Sequence, residues 1–294
     1  MFEIMIAIDQ TKRMGRLFLM ALLMAVVGTS TLYAQDDQAH KKAFNEGLEA
    51  YRTYKDSRSA SDLSAAIDAF TRSAQLAGQN NDSDVQGKAR QYASRMLYTQ
   101  GNTQFKAGQF QAALASYNQS LEFDPNYEKV NYQMGLAHKR MGNSEEALTN
   151  FEAAMSSSDT RTRRAAEQAV RNYFFEQIAD LFNDDLTSSG ADQVIATLTE
   201  MQDHVEADDE AMYRLGQAYH AKGDYAQAIA MADQALSTSR GSNSTKAAYY
   251  FLKGEALMRS GDATSACDAF RNATFGSLRA SAQYQLDNNC GGTN

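Results

Sequence analysis

The sequence predicts an all-α fold built from repeated helical hairpins, and three observations support that class. The 294-residue chain has one proline and no tryptophan, and the alanine, glutamine, leucine and charged residues that dominate it suit helix interiors. The stretch from Leu97 to Asn126 has the pattern of a helix, a tight turn, a second helix and a stop. Its glycine and alanine pattern recurs in strict register 34 residues later, from Gly101 to Gly135.

The residues of this central stretch each have an expected role. Gly101 and Ala113 are small, so the backbones of the two helices can approach closely, and Tyr117 fills the remaining space. Gly108 turns the chain, and Pro125 ends the second helix because proline lacks an N–H and disfavours helix in the residue before it. This spacing resembles a tetratricopeptide repeat (TPR), a unit that stacks on copies of itself. The resemblance implies a right-handed helical-hairpin solenoid.

Five copies of the pattern are readable between residues 41 and 275. In most of them a glycine is followed by an alanine and then an aromatic residue: Gly47, Ala66 and Phe70; Gly101, Ala113 and Tyr117; Gly135, Ala147 and Phe151; Gly216 and Ala228; Gly254, Ala266 and Phe270. Seven extra residues are expected to lengthen the turn of the first copy around residues 54–60, and the polar stretch 237–244 is expected to form a longer loop.

Residues 159–208 lack this signature but have helical periodicity. Gly190 lies between the two periodic stretches like a turn glycine, so we expect a diverged sixth helix pair. A specialised insert, or a break between two sub-arrays, is the alternative. We expect residues 35–40 to form a polar lead-in, residues 77–86 a polar connector, and residues 276–294 a capping helix over 277–287 followed by a tail.

The N-terminal 34 residues have the layout of a secretory signal peptide. Lys12, Arg13 and Arg16 precede a short apolar run, and small residues end at Ala34 before polar Gln35. Cleavage there predicts a periplasmic or secreted protein without stable membrane insertion, whereas an uncleaved anchor is the alternative. Met14 is a plausible start, since the preceding residues add nothing that such a signal needs. Of the 28 basic and 36 acidic residues, cleavage removes three and two, leaving a net charge of −9. That charge argues against a nucleic-acid partner.

An exported chain would place its only two cysteines, Cys267 and Cys290, in an oxidising compartment. Two antiparallel helices separate them in the expected fold, so the chain returns towards its starting point. We therefore predict a disulfide that holds the capping helix. Two independent thiols are the alternative.

We find no pattern that predicts catalysis. The chain lacks a P-loop, a dinucleotide-binding glycine motif and a nucleophile elbow. The acidic stretches 183–185 and 208–210 are interpreted as solvated helix ends and not as calcium loops. We accordingly predict no enzyme activity, no cofactor and no metal site.

The best functional candidate is the concave face that the TPR resemblance assigns to the first helix of each repeat. The fifth position of every readable repeat is aromatic, and basic residues occupy the second position of the first three. The predicted groove residues are Phe44, Tyr51, Arg95, Tyr98, Asn102, Phe105, Lys129, Tyr132, Lys139, Tyr213, His220 and Phe251. Aromatics flanked by cations suit an extended peptide with apolar and acidic side chains. Alternatively, these tyrosines serve repeat packing.

The groove does not match the chaperone-type TPR clamp, because Asn102 is present but Tyr98 replaces the lysine of that clamp. We therefore predict an exported scaffold that binds a protein or an extended peptide. The alternatives are an adaptor in bacterial envelope assembly, at the outer membrane or cell wall, and an enzyme whose site lies in residues 159–208. The sequence does not predict the oligomeric state.

Overall fold

The computed structural model describes residues 38–182 and 186–291, which form thirteen α-helices and two short 3-10 helices without any strand. The α-helices are α1 (Ala39–Ser57), α2 (Ala60–Gln79), α3 (Ser83–Lys106), α4 (Phe110–Phe123), α5 (Lys129–Met141), α6 (Ser144–Met155), α7 (Thr160–Ile178), α8 (Ser188–His204), α9 (Asp209–Ala221), α10 (Tyr225–Thr238), α11 (Asn243–Ser260), α12 (Ala263–Asn272) and α13 (Arg279–Asn289). The 3-10 helices are Ala179–Phe182 and Gly276–Leu278.

The chain divides into two compact units, the first ending at Asn143 and the second beginning at Ser144. Within each unit, every helix packs on the next helix along the chain. The all-α class and the helical-hairpin architecture are thus confirmed. The right-handed sense of the stack stays a prediction.

The glycine on the first helix of a hairpin makes room for an aromatic ring of the second helix. A Cβ atom added to Gly101 would lie 2.4 Å from the ring of Tyr117, and one added to Gly254 would lie 2.7 Å from Phe270. Gly47 bears the same relation to Phe70, at 2.8 Å. Tyr117, Phe70 and Phe270 are fully buried, so the rings have no room to retreat from a side chain.

Gly216 differs because its own hairpin has Ala232 where the others have the ring. A Cβ atom on Gly216 would instead lie 2.9 Å from Leu252, which belongs to the following hairpin, and 3.4 Å from the carbonyl oxygen of Ala228. Leu252 is unusual at its repeat position, where the other copies have Asn45, Thr99, Gln133 and Arg214. A leucine from the next repeat therefore replaces the missing ring.

The turns between paired helices use positive φ angles, as expected for Gly108, whose φ is 77°. Glycine adopts this region without the Cβ clash that other residues suffer. The first hairpin instead turns at Arg58, with φ of 55°. Its seven extra residues do not lengthen the turn, as expected from the sequence, but extend the helices, because α1 and α2 contain 19 and 20 residues.

Residues 77–86 were expected to form a polar connector, but most of them are helical. Helix α2 continues to Gln79 and α3 begins at Ser83, so only residues 80–82 connect them. Ala77 is fully buried, and Asp82 accepts a hydrogen bond from the backbone N–H of Val85 and so begins the next helix.

His40 was expected in the polar lead-in but belongs to the core of the first hairpin. Helix α1 begins at Ala39, and the ring of His40 is almost fully buried. Its Nε2 atom lies 3.0 Å from Oδ2 of Asp82, and its Nδ1 atom lies 3.2 Å from the side-chain nitrogen of Asn80. Its carbonyl oxygen accepts a hydrogen bond from Ser73. His40 thus joins the start of α1 to the α2–α3 junction.

Residues 159–208 form helices α7 and α8, which pack on each other and on their chain neighbours α6 and α9. Gly190 is not a turn glycine. It lies in the first turn of α8, where its N–H donates to the side-chain oxygen of Thr187. Asp208 likewise accepts from the N–H of Ala211 at the start of α9, so the acidic stretch 208–210 is a helix end, as expected. The stretch 183–185 lies outside the described residues.

The capping helix is α13, preceded by the short 3-10 helix. Cys290 follows α13 and forms a disulfide with Cys267 on α12, with 5.7 Å between the two Cα atoms. Leu286 and Cys290 pack against a cluster that includes Leu257 and Phe270. The predicted disulfide is therefore confirmed.

The predicted signal peptide, residues 1–34, lies outside the described residues. Among the helices described here, none combines the length and the apolarity that crossing a bilayer requires.

Candidate functional site

The predicted groove residues lie on the first helices of successive hairpins. In the first unit α1 touches α3 and α3 touches α5, and in the second unit α9 touches α11. The repeat pattern thus brings groove residues from neighbouring hairpins onto adjoining helices within each unit.

In the first unit, several predicted aromatics take part in packing. Phe44 contacts the rings of Phe70 and Tyr92, with centroids 5.5 and 5.6 Å away. Tyr98 lies 5.2 Å from the ring of Tyr127 and 6.1 Å from that of Tyr117. These contacts favour the packing interpretation for Phe44 and Tyr98.

Other groove residues of the first unit are also engaged within the chain. The side-chain oxygen of Asn102 accepts a hydrogen bond of 2.8 Å from the hydroxyl of Tyr117. Phe105 meets Phe110 edge-on at 5.3 Å, and Lys55 lies over the ring of Tyr51. Asn102 therefore supports a buried tyrosine, which is a structural role.

The predicted basic residues of the groove are exposed, and Tyr132 is half-buried. Arg95 lies on α3, whereas Lys129 and Lys139 lie at the two ends of α5. Burial raises the pKa of the Tyr127 hydroxyl, whereas the positive charge of Arg95 acts in the opposite direction and lowers it.

The second unit contains a recess formed by α9 and α11. We call it the His220 recess, and its walls are Tyr213, Gln217, His220, Phe251 and Glu255, with Phe182 and Leu186 at the rim. Its volume is about 380 Å³. A second cavity of about 410 Å³ shares His220 and Glu255 and extends to Gln285 and Asn289 of α13. Tyr213, His220 and Phe251 were predicted to line one groove, and in the structure all three line this recess.

One buried polar atom of the His220 recess has no partner among the residues that the structure describes. The Nε2 atom of His220 is buried and lacks a hydrogen-bond partner among the described residues. Burial lowers the pKa of His220, and the nearby positive charge of Arg259 lowers it further. Burial raises the pKa of Glu255, whereas Arg259 acts in the opposite direction. A buried polar atom without a partner is costly, so the recess is suited to a ligand that supplies one.

The aromatic walls are fixed by their own contacts. Tyr213 lies 5.2 Å from the ring of Tyr249, and its hydroxyl accepts a hydrogen bond from Gln217. Phe251 meets Phe270 at 5.5 Å. Burial raises the pKa of Tyr213, as do the charges of Glu210 and Glu255. The recess thus has rigid walls and a half-buried carboxylate.

Comparison with known families addresses the repeats directly. A model described as TPR repeat matches residues 101–142, and a model described as tetratricopeptide repeat matches residues 128–160 and 209–241. The chain contains tetratricopeptide repeats. The matched TPR segments include Gly101, Gly135 and Gly216, the glycines from which the register was assigned.

Solved TPR structures also align with the chain. The TPR domain of P58(IPK) aligns at 13% identity and a TM-score of 0.35, over 88% of this chain and 68% of that one. A thermophilic TPR protein of Thermus thermophilus aligns at 16% and 0.31, over 66% and 99%. The TPR2AB-domain:pHSP90 complex of yeast Sti1 aligns at 14% and 0.33, over 84% and 95%. At these identities and scores the alignments carry no argument about function. The comparison with curated proteins finds no match.

Sequence reasoning did not assign several residues that line the two cavities of the second unit. Phe182 and Leu186 come from the segment without the TPR signature, and Gln285 and Asn289 come from the capping helix. Glu255 occupies a groove position of its repeat, and its acidity was a usable signal, because the corresponding residues are Leu48, Asn102, Leu136 and Gln217.

The described residues contain no group of three or more His, Cys, Asp or Glu side chains placed to hold a metal ion.

Proposed function

We propose that this TPR protein is an exported scaffold that binds a protein partner through an extended segment lying along its first helices. The observation that carries the proposal is the His220 recess, where two successive helical hairpins present aromatic walls beside the buried, unpartnered Nε2 atom of His220. Such concave sites with a few converging polar groups are typical of ligand sites.

Binding can be tested by immobilising the chain from residue 35 to 294 and selecting the peptides that it binds from a displayed peptide library. The affinity of selected peptides for the original chain is then compared with that for His220→Ala. We expect a loss of about tenfold or more, as for a central interface residue. Tyr284→Ala is the matched control, since Tyr284 is an exposed aromatic on α13. The proposal fails if no peptide is selected, or if both variants bind like the original chain.

Export is the second part of the proposal and rests on the layout of residues 12–34. Expression in a Gram-negative-type bacterium, followed by mass analysis of the N-terminus, should give a chain that begins at Gln35. A mature protein that retains residues 1–34 would contradict it. The disulfide between Cys267 and Cys290 is compatible with export, because disulfides persist in oxidising compartments.

An adaptor role in envelope assembly is the narrower alternative within the same class. It would be supported if the peptides selected at the recess match segments of outer-membrane or cell-wall proteins. We further propose that the chain has no enzyme activity, since the described residues of its candidate site provide aromatic walls and polar groups without a serine, threonine or cysteine nucleophile beside a base.

A further inference from the structure

The His220 recess has a charge pattern that distinguishes it from the groove of the first unit. Its half-buried carboxylate, Glu255, is acted on by burial and by the charge of Arg259, with no hydrogen bond from another described residue contributing. A carboxylate withdrawn from water and left without a partner is unfavourable. A bound cation would restore the lost stabilisation.

The neighbouring charges leave this carboxylate available. On α9, Glu210 is paired with Arg214, whose Nε atom lies 2.8 Å from the carboxylate. The guanidinium of Arg214 also lies over the rings of Phe175 and Phe182. On α11, Arg259 is exposed, and its positive charge acts on Glu255 to lower the pKa of that carboxyl, against the effect of burial. Arg214 is therefore held elsewhere, whereas Arg259 lines the adjoining cavity together with His220 and Glu255 and its charge acts on both groups.

We propose that the His220 recess binds an arginine side chain of the partner segment. This inference rests on the proposed function and names the chemistry of the bound residue. The guanidinium donates hydrogen bonds to the carboxylate of Glu255 and to Nε2 of His220, while its plane lies against the ring of Tyr213 or Phe251.

Three features of the recess favour arginine. A guanidinium carries five N–H donors in one plane and stacks on aromatic faces, whereas an ammonium is a compact and strongly hydrated charge. A neutral histidine can accept a hydrogen bond through the ring nitrogen that carries no proton. The volume of about 380 Å³ also leaves room for one long side chain. An anionic side chain would meet the charge of Glu255 and is disfavoured.

The test uses the chain from residue 35 to 294 with ¹⁵N-labelled histidine. The chain has four histidines, and the ring signal that is missing from the variant His220→Gln is assigned to His220. The probes are acetylated, amidated peptides of two alanines, one test residue and two alanines. The test residue is arginine, citrulline or glutamate. Citrulline has the shape of arginine but no charge.

We expect the arginine peptide to shift the His220 signal and to bind about tenfold or more tightly than the citrulline peptide. Glu255→Gln should abolish this preference, whereas the exposed Glu200→Gln, with the same change in net charge, should keep it. Arg259→Gln should tighten binding of the arginine peptide, because it removes a repelling charge.

The inference is overturned if arginine and citrulline peptides bind alike, if the glutamate peptide binds best, or if Arg259→Gln weakens binding of the arginine peptide. If the selected library peptides lack a basic residue and bind His220→Ala more weakly than the original chain, the proposed function stands. Only the assignment of arginine as the bound residue is then wrong. If neither the library nor the short peptides bind, both fall.

Discussion

At the residue scale, the close contact between Gly101 and Tyr117 gives a sharp prediction. Gly101→Ala should lower the free energy of unfolding by about 1–3 kcal/mol, because the added methyl group overlaps a fully buried ring. Gly87→Ala in the same helix is the matched control. Nothing lies within 4 Å of its Cβ position, so it should stabilise the chain by about 0.5–1 kcal/mol. Urea unfolding measures both, and equal effects would contradict the assigned register.

Glu255 predicts a pH dependence whose sign follows from its burial. Burial in the folded state raises the pKa of Glu255 above its ordinary value of 4.5. The carboxyl group of Glu255 therefore keeps its proton to a higher pH in the folded state than in the unfolded state. Glu255 therefore lowers the free energy of unfolding as the pH rises from about 4.5 through the raised pKa. Relative to the original chain, Glu255→Gln should become more stable over that window and keep the advantage at neutral pH. A profile parallel to that of the original chain would contradict the burial of Glu255.

At the element scale, the disulfide should protect helix α13, whose contacts are chiefly with α12 and the preceding 3-10 helix. Cys267 and Cys290 are 23 residues apart, and closing a loop of that size contributes about 3 kcal/mol in the chain-entropy model. Cys290→Ser should therefore increase amide exchange in residues 279–289 before it affects the rest of α11 and α12. In the original chain, thiol titration after unfolding without a reductant should detect no free thiol. After reduction it should detect two. Two thiols before reduction would rule out the bridge.

The contact between Gly216 and Leu252 gives a second prediction at this scale. Leu252→Ala should cost about 2–5 kcal/mol by opening a cavity over Gly216. Ala232→Phe alone should also destabilise the chain, because Leu252 already fills the space for a ring. In the Leu252→Ala background, however, Ala232→Phe should restore stability. Thermal unfolding of the four chains measures this coupling, and additive losses would show that the two sites are independent.

At the scale of the whole molecule, the local packing of each unit predicts local responses to mutation. Helices contact mainly their neighbours along the chain, so opening is expected in separate segments. In Gly101→Ala, hydrogen exchange should rise in residues 83–123 while residues 243–272 keep their protection. A uniform rise throughout the chain would indicate a single cooperative unit.

The same local character explains what the sequence could predict. The glycine–aromatic register, the turn at Gly108 and the bridge from Cys267 to Cys290 depend on spacing within or between adjacent hairpins, and spacing is visible in a sequence. The environment of Glu255 is not, because it depends on Phe182 and Leu186 from a segment without the repeat signature. His40 was misjudged for a similar reason, since its partner Asp82 lies 42 residues away.

The leucine that lies over Gly216 also restricts how this protein could have evolved by duplication. A repeat that carries its own ring can in principle be copied, moved or deleted as a module. The hairpin of residues 209–238 cannot, because its glycine face is completed by Leu252 of its successor. As the last repeat of an array, this hairpin would leave Gly216 uncovered. Any repeat inserted after it would need a leucine at the position that is occupied in the other copies by Asn45, Thr99, Gln133 and Arg214. We therefore expect these two hairpins to be inherited as a pair, so that homologous chains with fewer repeats lose both or neither.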